Sequence, residues 1–183
     1  MTTTNIPKTL NLGSGKDWKD SYFNADILLR VNPDWWCDIS KIEFGQVIDS
    51  HRFGKVTIEK GMFKKIVAND VLEHIPDLIQ AMTNCKDLLE VGGEFHINVP
   101  YELSLGAWQD PTHVRAFNEN SWLYYTEWHW YLGWEDRFNL TSMEFMMSGL
   151  GQEMMDKGID ADEIMRTPRA VDSMKVILTK ISL

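Results

Sequence analysis

Cysteine is scarce in this chain: Cys37 and Cys85 are the only two among 183 residues. Neither stands in a Cys-Xaa-Xaa-Cys pair or in a Cys/His ligand pattern, so two reduced thiols are expected and no metal. Basic charge is also short. Lys and Arg number 18 against 27 Asp and Glu, a formal net charge of −9. That balance argues against a phosphate-binding surface, and so against nucleic acid as a partner. It argues equally against docking on anionic lipid. No run approaches the roughly 18 apolar residues of a membrane span. The polar stretch Met1–Lys8 has no likeness to a signal peptide. A cytoplasmic location is the default expectation. Repeats, low-complexity tracts and linkers are lacking too, so one domain covering residues 1–183 is expected.

What the chain does contain is an alternation of strand and helix patterns, which predicts a parallel α/β sheet. Strands are expected at 9–12, 22–27, 35–37, 55–59, 63–68, 94–99, 137–147 and 174–181. Leu78, Met82, Cys85 and Leu89 recur at helical spacing and predict a helix over 77–90, with Pro76 before it and Gly92-Gly93 after it. The segments 41–50 and 118–130 read as further helices, the second capped by Asn118 or Ser121.

Four features end four of these strands. Gly13-Ser14-Gly15 follows the first, Asp26 the second, Asp38 the third and Asn69-Asp70 the central one. In open α/β sheets ligands bind outside the carboxyl ends of the strands, so all four would line one crevice. Glycines let backbone approach a ligand and permit positive φ. Asp26 could accept from ribose hydroxyls, and Asp38 from an adenine amino group. A dinucleotide fingerprint wants a third glycine where Trp18 stands, and a P-loop wants Ser or Thr where Asp17 stands. A nucleoside without phosphates fits better.

The run Leu10-Asn11-Leu12-Gly13-Ser14-Gly15, with Asn24-Ala25-Asp26, Cys37-Asp38-Ile39, Asp70-Val71-Leu72-Glu73-His74-Ile75 and Gly92–Pro100, resembles the class I S-adenosylmethionine-dependent methyltransferases. Within them it is most similar to the type 11 group, which carries a Leu-Glu-His signature. The likeness spans Leu10–Pro100. Asp110–Phe117 resembles a His-containing loop in bacterial and phage members, some linked to saccharide biosynthesis.

The resemblance implies a Rossmann-like, seven-stranded, mostly parallel sheet with an antiparallel last strand and helices on both faces. It implies a cofactor-binding half over 10–100 and an acceptor-side half over 101–183. S-adenosylmethionine would be held by Leu12, Gly13, Ser14, Gly15, Asp26, Ile27, Asp38, Ile39, Asn69 and Asp70. Glu73 and His74 are expected to order their loop rather than to do chemistry. The partner would be a small-molecule acceptor, methylated on a hydroxyl, with a saccharide as one class. A hydroxyl must lose a proton, and His113 is the candidate base; binding substrate or bracing its loop are its other readings. Tyr101, Glu102, Trp108 and Arg115 are candidate acceptor contacts, and Arg115 could instead pair with Glu119. The aromatic set from Trp108 to Tyr131 could wall a pocket or pack on the sheet. Two departures stand out. Asn11 replaces a frequent acidic residue, and fewer than ten residues separate Gly15 from the second strand. A full first helix has no room there.

Overall fold

The computed structural model describes residues 6–182; residues 1–5 and 183, including most of the polar N-terminal stretch, lie outside it. Seven strands form the main sheet: β1 (Thr9–Leu12), β2 (Phe23–Asp26), β3 (Trp35–Trp36), β6 (Phe63–Asn69), β7 (Leu89–Pro100), β8 (Arg137–Met147) and β9 (Val171–Ile181). β4 (Val47–Ser50) and β5 (Gly54–Thr57) make a separate antiparallel hairpin. The spatial order is β3-β2-β1-β6-β7-β9-β8. β1, β2, β3, β6 and β7 run parallel, and β9 lies antiparallel between β7 and β8. The strand count, the mostly parallel run and the antiparallel last strand are those expected.

The helices are α1 (Leu78–Leu88), α2 (Gly106–Gln109), α3 (Gly149–Asp156) and α4 (Ala161–Arg166). No helix reaches the length and apolarity of a membrane span among the described residues. Asp77 caps α1 by accepting from the Gln80 N–H at 3.1 Å, and Leu78, Met82, Cys85 and Leu88 turn inward as their spacing demands. The segment 41–50 is not a helix. A single 3-10 turn at 39–41 is followed by β4, because Ile48 finds its partner in Val56 across the hairpin. The segment 118–130 is likewise not an α-helix. It forms two 3-10 turns, Glu119–Tyr125 and His129–Leu132, the first closed by an Asn118/Ser121 capping box.

One face of the sheet is apolar and buried. Leu10, Leu12, Phe23, Ala25, Ile66, Ala68, Phe95 and Ile97 share it by register, and the inward side of α1 belongs to the same core. The other face is polar and half-exposed. Lys65, His96, Glu144 and Lys175 border an open trough of about 500 Å³ there, lined by strand residues together with Tyr22 and by no helix. Residues 13–22 form a loop and not a helix, and the link from β2 to β3 holds only the 3-10 turn Leu29–Val31.

Candidate functional site

The loop after β1 is built by backbone hydrogen bonds to β2. The Ser14 N–H donates to the Ala25 carbonyl at 3.0 Å, and the Gly15 N–H to Asp26 Oδ2 at 2.8 Å. The other Asp26 oxygen accepts from the Leu28 N–H at 2.7 Å. Each carboxylate oxygen keeps a second lone pair for a hydroxyl. Gly13 has φ +64, and a Cβ built there would sit 2.4 Å from Val71 Cγ2, so the loop is pressed against the residues that follow β6. In front of Gly15 a Cβ would meet nothing nearer than 3.8 Å. Ser14 Oγ is buried without a hydrogen-bond partner among the described residues. Asn11 and Asn24 hold the loop from beneath, through Asn11 Nδ2 to the Asp17 carbonyl and Asn24 Nδ2 to the Lys19 carbonyl.

β3 delivers Asp38 to the same edge, since the Cys37 N–H donates to the Asp26 carbonyl at 3.1 Å. Asp38 serves mainly its own turn. Its Oδ1 accepts from Ser40 N–H and Oγ–H, and Oδ2 pairs with Lys41 Nζ at 2.9 Å. The Ser40 bonds above all hold its carboxyl below the usual range. Ile39 is buried, whereas Ile27 is 61% exposed beside Trp36, whose indole N–H donates to the Ile27 carbonyl. Leu12 faces the core and can offer a ligand only backbone. Asn69 ends β6 in solvent, and Asp70 follows with φ +53, a strained value for a side-chain-bearing residue. Gly13, Gly15, Asp26, Asp38, Asn69 and Asp70 thus meet at the carboxyl edge of four adjacent strands.

A cleft of about 440 Å³ opens beside them, where Asp70, Glu73, His74, Asp110 and His113 come together. Glu73 is 1% exposed, and neither of its carboxylate oxygens has a hydrogen-bond partner among the described residues. Burial pushes its carboxyl up to about 7. His113 Nε2 stands 4.0 Å from Glu73 Oε1, and the His74 and His113 rings meet edge to face at 4.6 Å. His113 Nδ1 lies 2.9 Å from the Ala107 carbonyl. A carbonyl only accepts, so in the neutral ring Nδ1 carries the proton and Nε2 keeps the lone pair.

The other expected acceptor contacts scatter. Tyr101 is 2% exposed, its hydroxyl donating to Glu119 at 3.0 Å and its ring edge-on to Phe145, so it is a core residue and not a pocket edge. Glu102 accepts from Asn118 Nδ2 at 3.1 Å. Arg115 does not pair with Glu119. Its guanidinium donates to the Ile75 and Pro76 carbonyls at 2.8 and 2.7 Å and braces the loop after β6. Trp108 is 63% exposed. The aromatic set divides: Trp122 and Tyr125 pack inward, while Tyr124, Trp128, Trp130 and Tyr131 form an exposed edge-to-face group.

Sequence reasoning assigned Glu73 and His74 to loop order alone, yet both line the cleft. The missed signal was an acidic residue next to a histidine directly after a strand end, with a second His-containing loop after the next strand. The buried Asp34–Arg52 pair also went unseen. Arg52 donates to both Asp34 oxygens and to the Asp20 and Tyr22 carbonyls, which anchors the loop between β2 and β3.

No family model matches the chain, and no curated protein sequence does. Solved structures match its fold. A SAM-dependent methyltransferase from Archaeoglobus fulgidus aligns over 97% of this chain and 87% of its own, with a TM-score of 0.57 and 13% identity. An S-adenosylmethionine-dependent methyltransferase from Mesorhizobium loti aligns over 98% and 93%, with a TM-score of 0.52 and 12% identity. The cyclase SpnF aligns over 100% and 77%, with a TM-score of 0.61 and 11% identity. At these identities the likeness establishes the fold.

Proposed function

We propose that the chain is an S-adenosylmethionine-dependent methyltransferase of the type 11-like kind, acting on a hydroxyl of a small acceptor such as a saccharide. The observation that carries this is the meeting of the glycine loop, Asp26 and Asp70 at one sheet edge, next to a cleft with a free imidazole lone pair. Residues 10–100 hold the cofactor in this reading, and 101–183 supply most of the acceptor side.

The residues present fit S-adenosylmethionine. The space in front of Gly15 takes a methionine tail near the orphaned Ser14 Oγ. The spare lone pairs of Asp26 suit a ribose diol. Exposed Ile27 and Trp36 offer apolar surface to a purine ring. When bound, the cofactor supplies a methyl group already activated on a sulfonium. The chain's own work is to orient the acceptor and exclude water. Gly13 keeps the loop against Val71 so that Asp70 and Asn69 border the reacting end. His113 acts on the acceptor through Nε2, its ring held by the Ala107 carbonyl.

Among the structural neighbours one is a cyclase, so the fold does not dictate methyl transfer. A binding module without turnover is the second reading, favoured by the loop that stands in place of a first helix. Calorimetry with S-adenosylmethionine, S-adenosylhomocysteine and NAD tests the cofactor, and turnover against a library of hydroxylated acceptors tests the activity. One-site binding of the first two, none of NAD, and methyl transfer to a hydroxyl are expected. His113→Ala should lower turnover far more than cofactor affinity.

A further inference from the structure

We propose that Glu73, His74 and His113 form a binding site for a divalent transition-metal cation at the carboxyl edge of β6, a site the sequence alone led us to expect absent. One potential ligand atom from each of the three lies within 4.8 Å of the others. The 4.0 Å between His113 Nε2 and Glu73 Oε1 is too long for a hydrogen bond. It is slightly wider than the roughly 3–3.5 Å between two ligands that each stand about 2.1 Å from a shared ion.

The second observation is the state of each group. Glu73 is buried with both oxygens unpartnered among the described residues, which costs stability unless a cation or proton answers it. In the neutral rings, the acceptors that face Nδ1 leave Nε2 unprotonated on both imidazoles. The Ala107 carbonyl takes the Nδ1 proton of His113 at 2.9 Å. For His74 the holder is a relay: the Thr112 hydroxyl gives its proton to Asp110 Oδ1 at 2.7 Å. Thr112 Oγ1 can then only accept from His74 Nδ1, 2.9 Å away. Outer partners of this kind orient histidines that ligate metals. Two neutral imidazoles and one carboxylate are a ligand set that suits manganese, iron, cobalt or zinc and leaves coordination positions open.

Those positions face the cleft that also holds Asp70. The use of the ion rests on the methyltransferase reading, whereas its binding does not. With a cation bound here, the Nε2 lone pair of His113 goes to the ion, and His113 acts on the acceptor through that ion. The acceptor oxygen binds the cation and its hydroxyl becomes more acidic. Its proton leaves to solvent through the open cleft. The new O–CH3 bond forms as the S–CH3 bond of the sulfonium breaks, giving a methyl ether and a thioether.

The test is titration of the full chain, stripped with a chelator, with Mn2+, Co2+ and Zn2+ separately and with no cofactor or acceptor present. One equivalent should bind, and binding should raise the melting temperature. Glu73→Gln and His74→Ala should each weaken it at least ~10-fold. The half-exposed position of His74 keeps the test open if Glu73→Gln fails to fold. Lack of saturable one-site binding, or equal binding by parent and both variants, would overturn the site. Turnover that survives chelation would overturn its catalytic use. Cofactor calorimetry on metal-free protein is a separate readout, and its failure would remove the methyltransferase reading while leaving the metal result in place.

Discussion

At the scale of single residues, burial decides what each polar group can do. Asp34 has a fully buried carboxylate. Burial works to raise its pKa, but Arg52 and the Asn24 N–H outweigh that and hold it below its ordinary 3.8. Removing Arg52 leaves a buried charge unanswered, so Arg52→Ala should cost about 3 kcal/mol at pH 7 in a urea titration. Because the folded pKa is depressed, this stability is fully present above the unfolded value and lost as pH falls. The gap between parent and variant should therefore narrow below about pH 4. Gly13 gives a second prediction. Gly13→Ala meets Val71 at 2.4 Å and must hold φ +64, so it should weaken cofactor binding at least ~10-fold by calorimetry. Adding Val71→Ala should restore part of this, since the strain of about 1 kcal/mol remains. Gly13 and Asp26 were legible in the sequence because glycine turns and strand-end carboxylates are local signals. The Asp34–Arg52 pair was not, because it joins loops that only the folded sheet brings together.

At the scale of elements, local pattern sufficed where the chain packs on itself and failed where a distant partner decides. α1 is set by its own spacing and its Asp77 cap, and Asp77→Ala should cost about 1 kcal/mol of stability in thermal unfolding. The 41–50 segment has the same apolar content as a helix, but Ile48 pairs across the β4–β5 hairpin. A short apolar run cannot choose between the two states alone. The 118–130 segment is rich in Trp and Tyr, which are modest helix formers. It follows the demands of its rings instead, with Phe117 stacked on Trp122 at 5.4 Å and an interplanar angle of 7°.

At the scale of the whole molecule, the two faces of the sheet differ in kind. β7 from Phe95 and β9 from Met174 alternate buried residues with exposed or half-exposed ones, as antiparallel sheets with one solvated face do. That alternation is written in Phe95-His96-Ile97-Asn98 and Met174-Lys175-Val176, and it signals an uncovered face more clearly than any helix pattern signals cover. Neighbours on one strand should therefore differ sharply in urea titrations. Met174→Ala should cost about 2–5 kcal/mol, and Lys175→Ala less than about 0.5. The short link after Gly15 holds no helix, and the trough on the polar side is lined by strand residues and Tyr22.

The central claim is that an adenosine-bearing ligand lies across the carboxyl ends of β1, β2, β3 and β6. Titration of the isotope-labelled chain with S-adenosylhomocysteine, followed by backbone amide shifts, tests this most directly. The account predicts saturable shifts concentrated at residues 12–15, 26–28, 37–39 and 69–71. Shifts absent at saturating ligand, or gathered instead around Lys65, His96, Glu144 and Lys175 on the open face, would contradict it.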